Sequence, residues 1–258
     1  MKKCINNYII LIKLIIIYHI KMKLSLVLLL ITFTFISNHQ MIDKLINKGH
    51  YNTKKDTLRI IGNLLFDNGY EPAFVAGVLG NIFHEAQIGK FESSAYDKHP
   101  ELKPDYLKYM DDNYKYREKY SGKIITQVSL RELGTLLDKL KKDNWKKGKF
   151  GLGCVQWTGS RTYDLYNVYN RECGNCDKIT LSQATSSEGK LVISELKGSS
   201  YSYIYTQWKR NHPNMNTAQA AYDAGYEITM KYEVPKDTKT KAKERATTAQ
   251  NMYTDMTS

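Results

Sequence analysis

The sequence predicts a mainly α (α+β) fold, a helical domain with a small β or irregular region in the middle of the chain. Three observations carry this. Helix start and stop signals recur from residue 41 towards the C-terminal end, with apolar residues at helical spacing between them. One of these helices, opening at Pro72, is apolar on nearly every side, as a helix in the centre of a domain must be. Two stretches break the pattern. Residues 91–125 are polar and rich in Tyr and Lys, with Pro100 and Pro104, and residues 146–153 carry Gly148, Gly151 and Gly153.

In chain order, a short amphipathic helix is expected over 41–48 and a second over 56–68, with Asp56 or Thr57 as N-cap and Gly69 as stop. The third opens at Pro72, where a missing N–H costs least. Ala73, Ala76, Gly77 and Gly80 leave one side almost bare, and Phe74, Val75, Val78, Leu79, Ile82 and Phe83 cover the rest. Residues 91–125 read as irregular with one short helix at most. Ser129-Leu-Arg-Glu132 is a capping box that opens a helix to about residue 141. Residues 146–153 form a turn and a short strand or loop. Thr158-Gly-Ser160 breaks the chain before a Tyr-rich helix over 160–170. Further helices are expected at 184–197, 200–210, 216–232 and 237–254, with Pro235 separating the last two. No internal repeat or low-complexity linker divides 38–258, which reads as a single domain.

At the end of the apolar helix stands one carboxyl group, Glu85, between His84 and Ala86. Desolvation disfavours the charged form of an acid. A carboxylic acid that keeps its proton is what cleavage of a glycosidic bond requires. Taken alone, a glutamate at a helix end is more simply a solvated surface residue.

The chain has 258 residues and a formal charge of +12, of which five lysines lie in the first 37 residues with no acid beside them. The remainder is basic, which suits anionic partners such as cell-wall polymers, acidic membranes or nucleic acid. A Lys-, Asn- and Ile-rich composition also follows from codon bias, so charge decides little. Residues 1–37 read as a targeting segment: Met22-Lys23-Leu24 begins a short basic region followed by an apolar core of secretory length. A second apolar run, 8–20, lies upstream, broken by Lys13. The simplest account starts translation at Met22 and secretes the protein; the rival is a signal anchor. Of the four cysteines, Cys4 lies in the leader, and Cys154, Cys173 and Cys176 remain. Either Cys173 and Cys176 close a small loop or one of them reaches Cys154. No further pair of ligands at zinc spacing accompanies them.

Several motifs together resemble a known superfamily. Gly153-Cys154-Val155-Gln156 looks like the Gly-x-x-Gln element of lysozyme-like muramidases, and Ala221-Tyr222-Asp223-Ala224-Gly225 is similar to the Ala-Tyr-Asn-Ala-Gly element of lytic transglycosylases. Their order after Glu85 is that of the superfamily. The phage tail lysozyme family gives the nearest resemblance. Its pattern is matched by Gly77-Val-Leu-Gly80-Asn81-Ile82-Phe-His-Glu85-Ala86, by Phe91-Glu-Ser-Ser-Ala95, and by Gly153 through Gln156-Trp-Thr-Gly-Ser-Arg161. Ser194-Glu195-Leu196, Tyr232-Glu233-Val234-Pro235 and Arg245 complete it. The resemblance covers roughly 55–253. Ala86 replaces the usual small polar residue, and the chain is longer than the family pattern around 96–148, an apparent insertion.

The resemblance implies a lysozyme-like helical domain with its small β or irregular region beside a substrate cleft. It implies a muramidase that cleaves the MurNAc-GlcNAc bond of bacterial peptidoglycan, with Glu85 as general acid. Gln156 would hydrogen-bond the sugar, or else brace its loop. Trp157 would stack on a sugar face, or else sit in the core. Tyr222 would orient Glu85, or else pack. Glu92, Asp97, Asp105, Asp111 and Asp112 are within reach as a second acid, and nothing selects one. A lytic transglycosylase needs none, because the sugar's own hydroxyl closes on the anomeric carbon, so hydrolase and transglycosylase both stay open. A cysteine peptidase or amidase built on Cys154 with His84 or His212 as base, and a peptidoglycan-binding module without catalysis, are the other readings. The basic stretch 236–245 reads as a solvated helix face rather than a nucleic-acid reader. The expectation is a secreted monomer, in the extracellular space or the lumen of a secretory or digestive compartment. It would need no metal or cofactor, have no nucleic-acid partner and form no stable membrane association once the leader is removed.

Overall fold

The computed structural model describes residues 18–27, 37–85, 87–92, 120–145, 150–235 and 237–258. Helices α1 (37–46) and α2 (Lys55–Asp67) lead into α3 (Pro72–His84). Beyond the irregular region follow α4 (Leu130–Lys142), α5 (Ser160–Glu172), α6 (Leu181–Lys197) and α7 (Ser202–Asn211). The chain closes with α8 (Ala218–Ile228), a π-helical turn Thr229–Glu233, and α9 (Thr238–Thr257). Segment 18–27 is helical and exposed, and no described helix is long and apolar enough to cross a membrane. Most of the leader, Ala86 and most of the insertion around 96–148 lie outside the described residues, as do Asp97, Asp105, Asp111 and Asp112.

The mainly α expectation holds, and local chemistry explains the boundaries. Pro72 is the first residue of α3, and Gly69 turns the chain out of α2 at φ +80°. Ser129 accepts the N–H of Glu132 at 3.3 Å, capping α4. No side chain caps α2, whose N-cap is Lys54 rather than Asp56 or Thr57. Helix α6 begins at Leu181, earlier than expected, because Thr180 and Gln183 form a reciprocal capping box that the periodicity alone passes over. Helix α8 is shorter than 216–232 because its last turn widens to the π form.

Among the described residues, the small β region shows antiparallel bridges, Lys90 to Ile124, Phe91 to Leu152 and Leu152 to Trp157. Leu152 and Trp157 exchange both backbone hydrogen bonds, at 3.1 and 3.0 Å, and so pinch off a tight turn. Lys90 accepts the N–H of Gly153 at 3.0 Å, which fastens that turn to the chain just past Glu85.

Ten of the thirteen residues of α3 are buried, so it has no solvated face. Its main neighbours are α8 and α9. Full burial of a side chain such as Phe74 or Leu79 contributes about 1.5–3 kcal/mol. The small residues let the three backbones approach: a Cβ on Gly77 would stand 2.5 Å from the Ala224 Cβ, and one on Gly80 would stand 2.9 Å from the backbone nitrogen of Ala249.

Asn81 fixes the register of the three helices. Its amide donates to the carbonyls of Gly77 and Gly225, each at 3.0 Å, and its carbonyl oxygen accepts from Thr229 Oγ1 at 2.6 Å. Arg245 Nη1, on α9, donates to the same oxygen at 3.4 Å. Gly77 meets Ala224, and Asn81 meets Gly225 and Thr229, so α3 and α8 run parallel.

Gly80→Ala is expected to lower stability by about 1–3 kcal/mol despite the better helix propensity of Ala, because the new methyl meets backbone that cannot rotate away. Urea unfolding measures this, and an unchanged or raised midpoint would refute the close approach of α3 and α9.

Candidate active site

Glu85 is the residue at which α3 ends. Its N–H still bonds Asn81 O at 3.2 Å, and its own backbone turns extended, with φ −84° and ψ −173°. Lys54 Nζ caps the helix end, donating to Ile82 O at 3.0 Å and to Glu85 O at 2.6 Å. A cation there meets the negative end of the helix dipole. Burial pulls the Lys54 pKa below the usual lysine range, with the Glu85 charge opposing that.

The carboxylate of Glu85 is not alone in apolar surroundings, as the sequence suggests. Arg245 Nη2 donates to its Oε1, with 4% of the arginine side chain and 16% of the glutamate exposed. An ion pair this sheltered from water keeps much of its strength and is costly to break from one side. The sequence places Arg245 on a solvated helix face. The structure corrects this: Ala242, Arg245, Ala246 and Ala249 form the inward stripe of α9. Arg245 Nε is buried without a hydrogen-bond partner among the described residues.

The Gly-x-x-Gln turn lies beside this pair through Lys90. Gln156 adopts a left-handed backbone, φ +52°, and donates through Nε2 to Gly153 O at 2.8 Å and Lys90 O at 3.1 Å. Its amide nitrogen therefore braces the loop. Beneath the turn, Glu188 of α6 is fully buried and accepts the N–H groups of Gly89 and Cys154, both at 2.6 Å, and the Tyr169 hydroxyl at 2.5 Å. Burial raises the Glu188 pKa, and these donors pull it back. A single buried carboxyl thus ties both strands of the irregular region to the helical core.

The Gln156-to-Arg161 motif continues into a second buried network. Trp157 has no exposed surface, and its indole N–H donates to Glu195 Oε2 at 2.9 Å. Arg161 forks onto Glu195 at 2.7 and 2.8 Å, and the Tyr232 hydroxyl donates to the same carboxylate. The Arg161 guanidinium also lies 5.1 Å from the Tyr232 ring centroid and 5.5 Å from that of Tyr201. The motif pieces 156–161, 194–196 and 232–235 are therefore one connected structure.

Of the site residues expected from sequence, Gln156 is tied to Lys90, five residues past Glu85, whereas Trp157 and Tyr222 stand elsewhere. Trp157 presents no ring face for stacking on a sugar; it holds Glu195. Tyr222 lies seven residues before Thr229, about 10 Å back along α8 at 1.5 Å per residue, so it does not stand beside Glu85. The part of the chain at the level of Glu85 is the π turn, and Glu233 is its last residue. Glu233 was present in the sequence only as part of Tyr-Glu-x-Pro. It is half-buried, with no hydrogen bond or ion pair on its carboxyl group among the described residues. Burial pushes its pKa well up, and the charge of Glu85 pushes further. Glu92, the one second-acid candidate within the described residues, accepts the Gly151 N–H at 3.0 Å.

Cysteine chemistry is settled by placement. Cys173 and Cys176 form the disulfide at the end of α5, and Cys154 is free and buried. Burial and the neighbouring Glu188 push the Cys154 thiol well above its usual range, so it is no nucleophile.

A helical domain whose central, fully buried helix ends in a glutamate beside a Gly-x-x-Gln turn has the lysozyme-like arrangement. The chain belongs to the phage tail lysozyme family, whose sequence profile matches residues 56–256. Membership brings a lysozyme-like, peptidoglycan-directed role. No curated protein and no solved structure matches the chain.

Two outcomes follow from this geometry. Cys154→Ala is expected to leave peptidoglycan cleavage intact, and the native protein to leave Ellman's reagent uncoloured until unfolded; rapid labelling of the native thiol would contradict the burial. Glu188→Ala strips the acceptor from two buried N–H groups and is expected to cost about 3–5 kcal/mol, measured by thermal or urea unfolding.

Proposed function

We propose that the chain is a secreted muramidase that cleaves the MurNAc-GlcNAc bond of bacterial peptidoglycan with Glu85 as general acid. The observation that carries the reading is the position of Glu85 at the C-terminal end of a buried helix, inside a family of lysozymes. Arg245 takes Oε1 and leaves Oε2 as the oxygen that carries the proton. In the reaction, that proton passes to the glycosidic oxygen as the C1–O bond breaks, and the bonding pair leaves with the oxygen. Positive charge then develops on the sugar ring beside the Glu85 carboxylate, which stabilises it. A water adds to C1 and returns one proton to the site.

Gln156 serves this chemistry by shaping the turn, with its Oε1 left to face a sugar amide or hydroxyl. The basic character of the chain suits an anionic wall polymer. The protein acts as a monomer outside the cell or in a secretory or digestive lumen. It uses no cofactor or metal, and needs neither nucleic acid nor membrane as a partner.

Mass spectrometry of the products from purified peptidoglycan tests the reading, with wild type beside Glu85→Gln. Reducing muropeptides from wild type and a loss of at least about a thousandfold in the variant are expected for an acid acting on a poor leaving group. Anhydro-muropeptides would make the protein a lytic transglycosylase, in which the sugar's own hydroxyl replaces water. Wall binding without any sugar product would leave a binding module.

A further inference from the structure

A general acid must hold a proton, yet the Glu85 carboxylate is paired with a buried guanidinium, the counter-ion of its ionised form. The fold places a second carboxyl group where that proton has somewhere to reside. Thr229 bonds Asn81 between two parallel helices. Glu85 lies one turn beyond Asn81 on α3, and Glu233 lies one turn beyond Thr229 on the continuation of α8. One step along each of two parallel helices from a shared contact brings the two carboxyls to the same end of the bundle.

Glu233 is held there on both sides. Tyr232 before it is bonded to Glu195 in the buried network. Val234 after it takes a left-handed backbone, φ +45° and ψ +55°, which a β-branched residue adopts only under constraint. The π turn itself is a widened turn of the kind that re-aims side chains at functional sites. Among the described residues, the groups whose charge acts on Glu233 are Glu85 of α3, Arg245 of α9, Arg161 of α5 and Glu195 of α6, and Glu233 in turn acts on the Tyr232 hydroxyl and the Cys154 thiol. Both arginines are already engaged by other carboxylates, Arg245 by Glu85 and Arg161 by Glu195. Glu233 is the one carboxyl of the group left without a counter-ion of its own.

We propose that Glu233 is a positioning residue that shares a single proton with Glu85, holding it in the free enzyme and yielding it to Glu85 when substrate binds. The inference rests on the muramidase reading above. Its balance is simple. The carboxyl proton of Glu233 moves to Oε2 of Glu85, leaving Glu233 ionised; Glu85 then gives that proton to the glycosidic oxygen as the C1–O bond breaks. The incoming water, or the sugar hydroxyl of a transglycosylase, releases one proton, and the pair returns to its starting state. The charge of Glu85 acts on the Glu233 carboxyl and raises its pKa.

The test compares wild type, Glu233→Gln and Glu85→Gln in activity against pH and in the infrared carboxyl band of the free enzyme. In wild type Glu233 keeps its proton above the ordinary carboxylate range, so activity persists towards neutrality. Glu233→Gln removes the store. Its basic limb should move down by about one pH unit or more, roughly a tenfold loss near neutrality, with activity recovering as the pH falls. The protonated carboxyl band that survives near neutrality in wild type should vanish in Glu233→Gln. In Glu85→Gln it should titrate at lower pH, because the like charge has gone; Glu188 contributes equally to all three and cancels. Superimposable pH profiles, or a Glu233 band indifferent to Glu85→Gln, would overturn the shared proton. So would a Glu233→Gln enzyme that is folded and dead at every pH, since Glu233 would then act on substrate directly. If Glu233→Gln fails to fold, the infrared comparison of wild type with Glu85→Gln decides alone. Full activity in Glu85→Gln would instead sink the muramidase reading, a separate failure.

Discussion

The structure depends on one buried amide. Asn81 uses both N–H bonds and its carbonyl oxygen to join α3, α8 and α9. A buried amide left unpaired would cost several kcal/mol, so the three helices are driven to the single register that satisfies it. The glycines at 77 and 80 allow that register by letting backbone meet backbone. From it follow the positions of Arg245, which bonds Asn81 itself, and of Glu85 and Glu233, each about one turn from the Asn81 contact. The site is a consequence of helix register and owes little to the loops.

A division of labour among carboxyl groups runs through the molecule. Glu188 is a tie: three donors converge on it, and it joins the irregular region to the core. Glu195 is a hub: it neutralises Arg161 and fixes Trp157 and Tyr232. Among the described residues, Glu85 has one strong partner and an open oxygen, and Glu233 has none. Donor count falls from the structural acids to those at the helix ends. That is the gradient expected when fully satisfied groups carry the fold and under-satisfied ones carry chemistry.

Motif resemblance and motif function separate here. Gln156-Trp-Thr-Gly-Ser-Arg161 is the most distinctive stretch of the chain, and a Trp beside a sugar cleft invites a stacking role. In the structure that stretch serves as scaffold. Trp157 and Arg161 spend their polar groups on Glu195, and Gln156 spends its amide nitrogen on its own turn. A distinctive sequence can thus mark a hydrogen-bond network, here one that reaches the π turn by way of Tyr232.

The sequence by itself determined the helices and the leading acid. Apolar periodicity, Pro72, Gly69 and Ser129 act within a few residues of themselves, so they are legible without the fold. The same holds for Glu85 at the end of α3, and the order of motifs gave the family. Only the tertiary structure decided that Arg245 faces inward to pair with Glu85, that Trp157 is core, that Tyr222 stands away from the site and that Glu233 stands at it. The physical reason is separation: Glu85 meets Arg245 across 160 residues, and Asn81 meets Thr229 across 148. Charge pairing and desolvation over such spans depend on how helices stack, which no local pattern of residue types records.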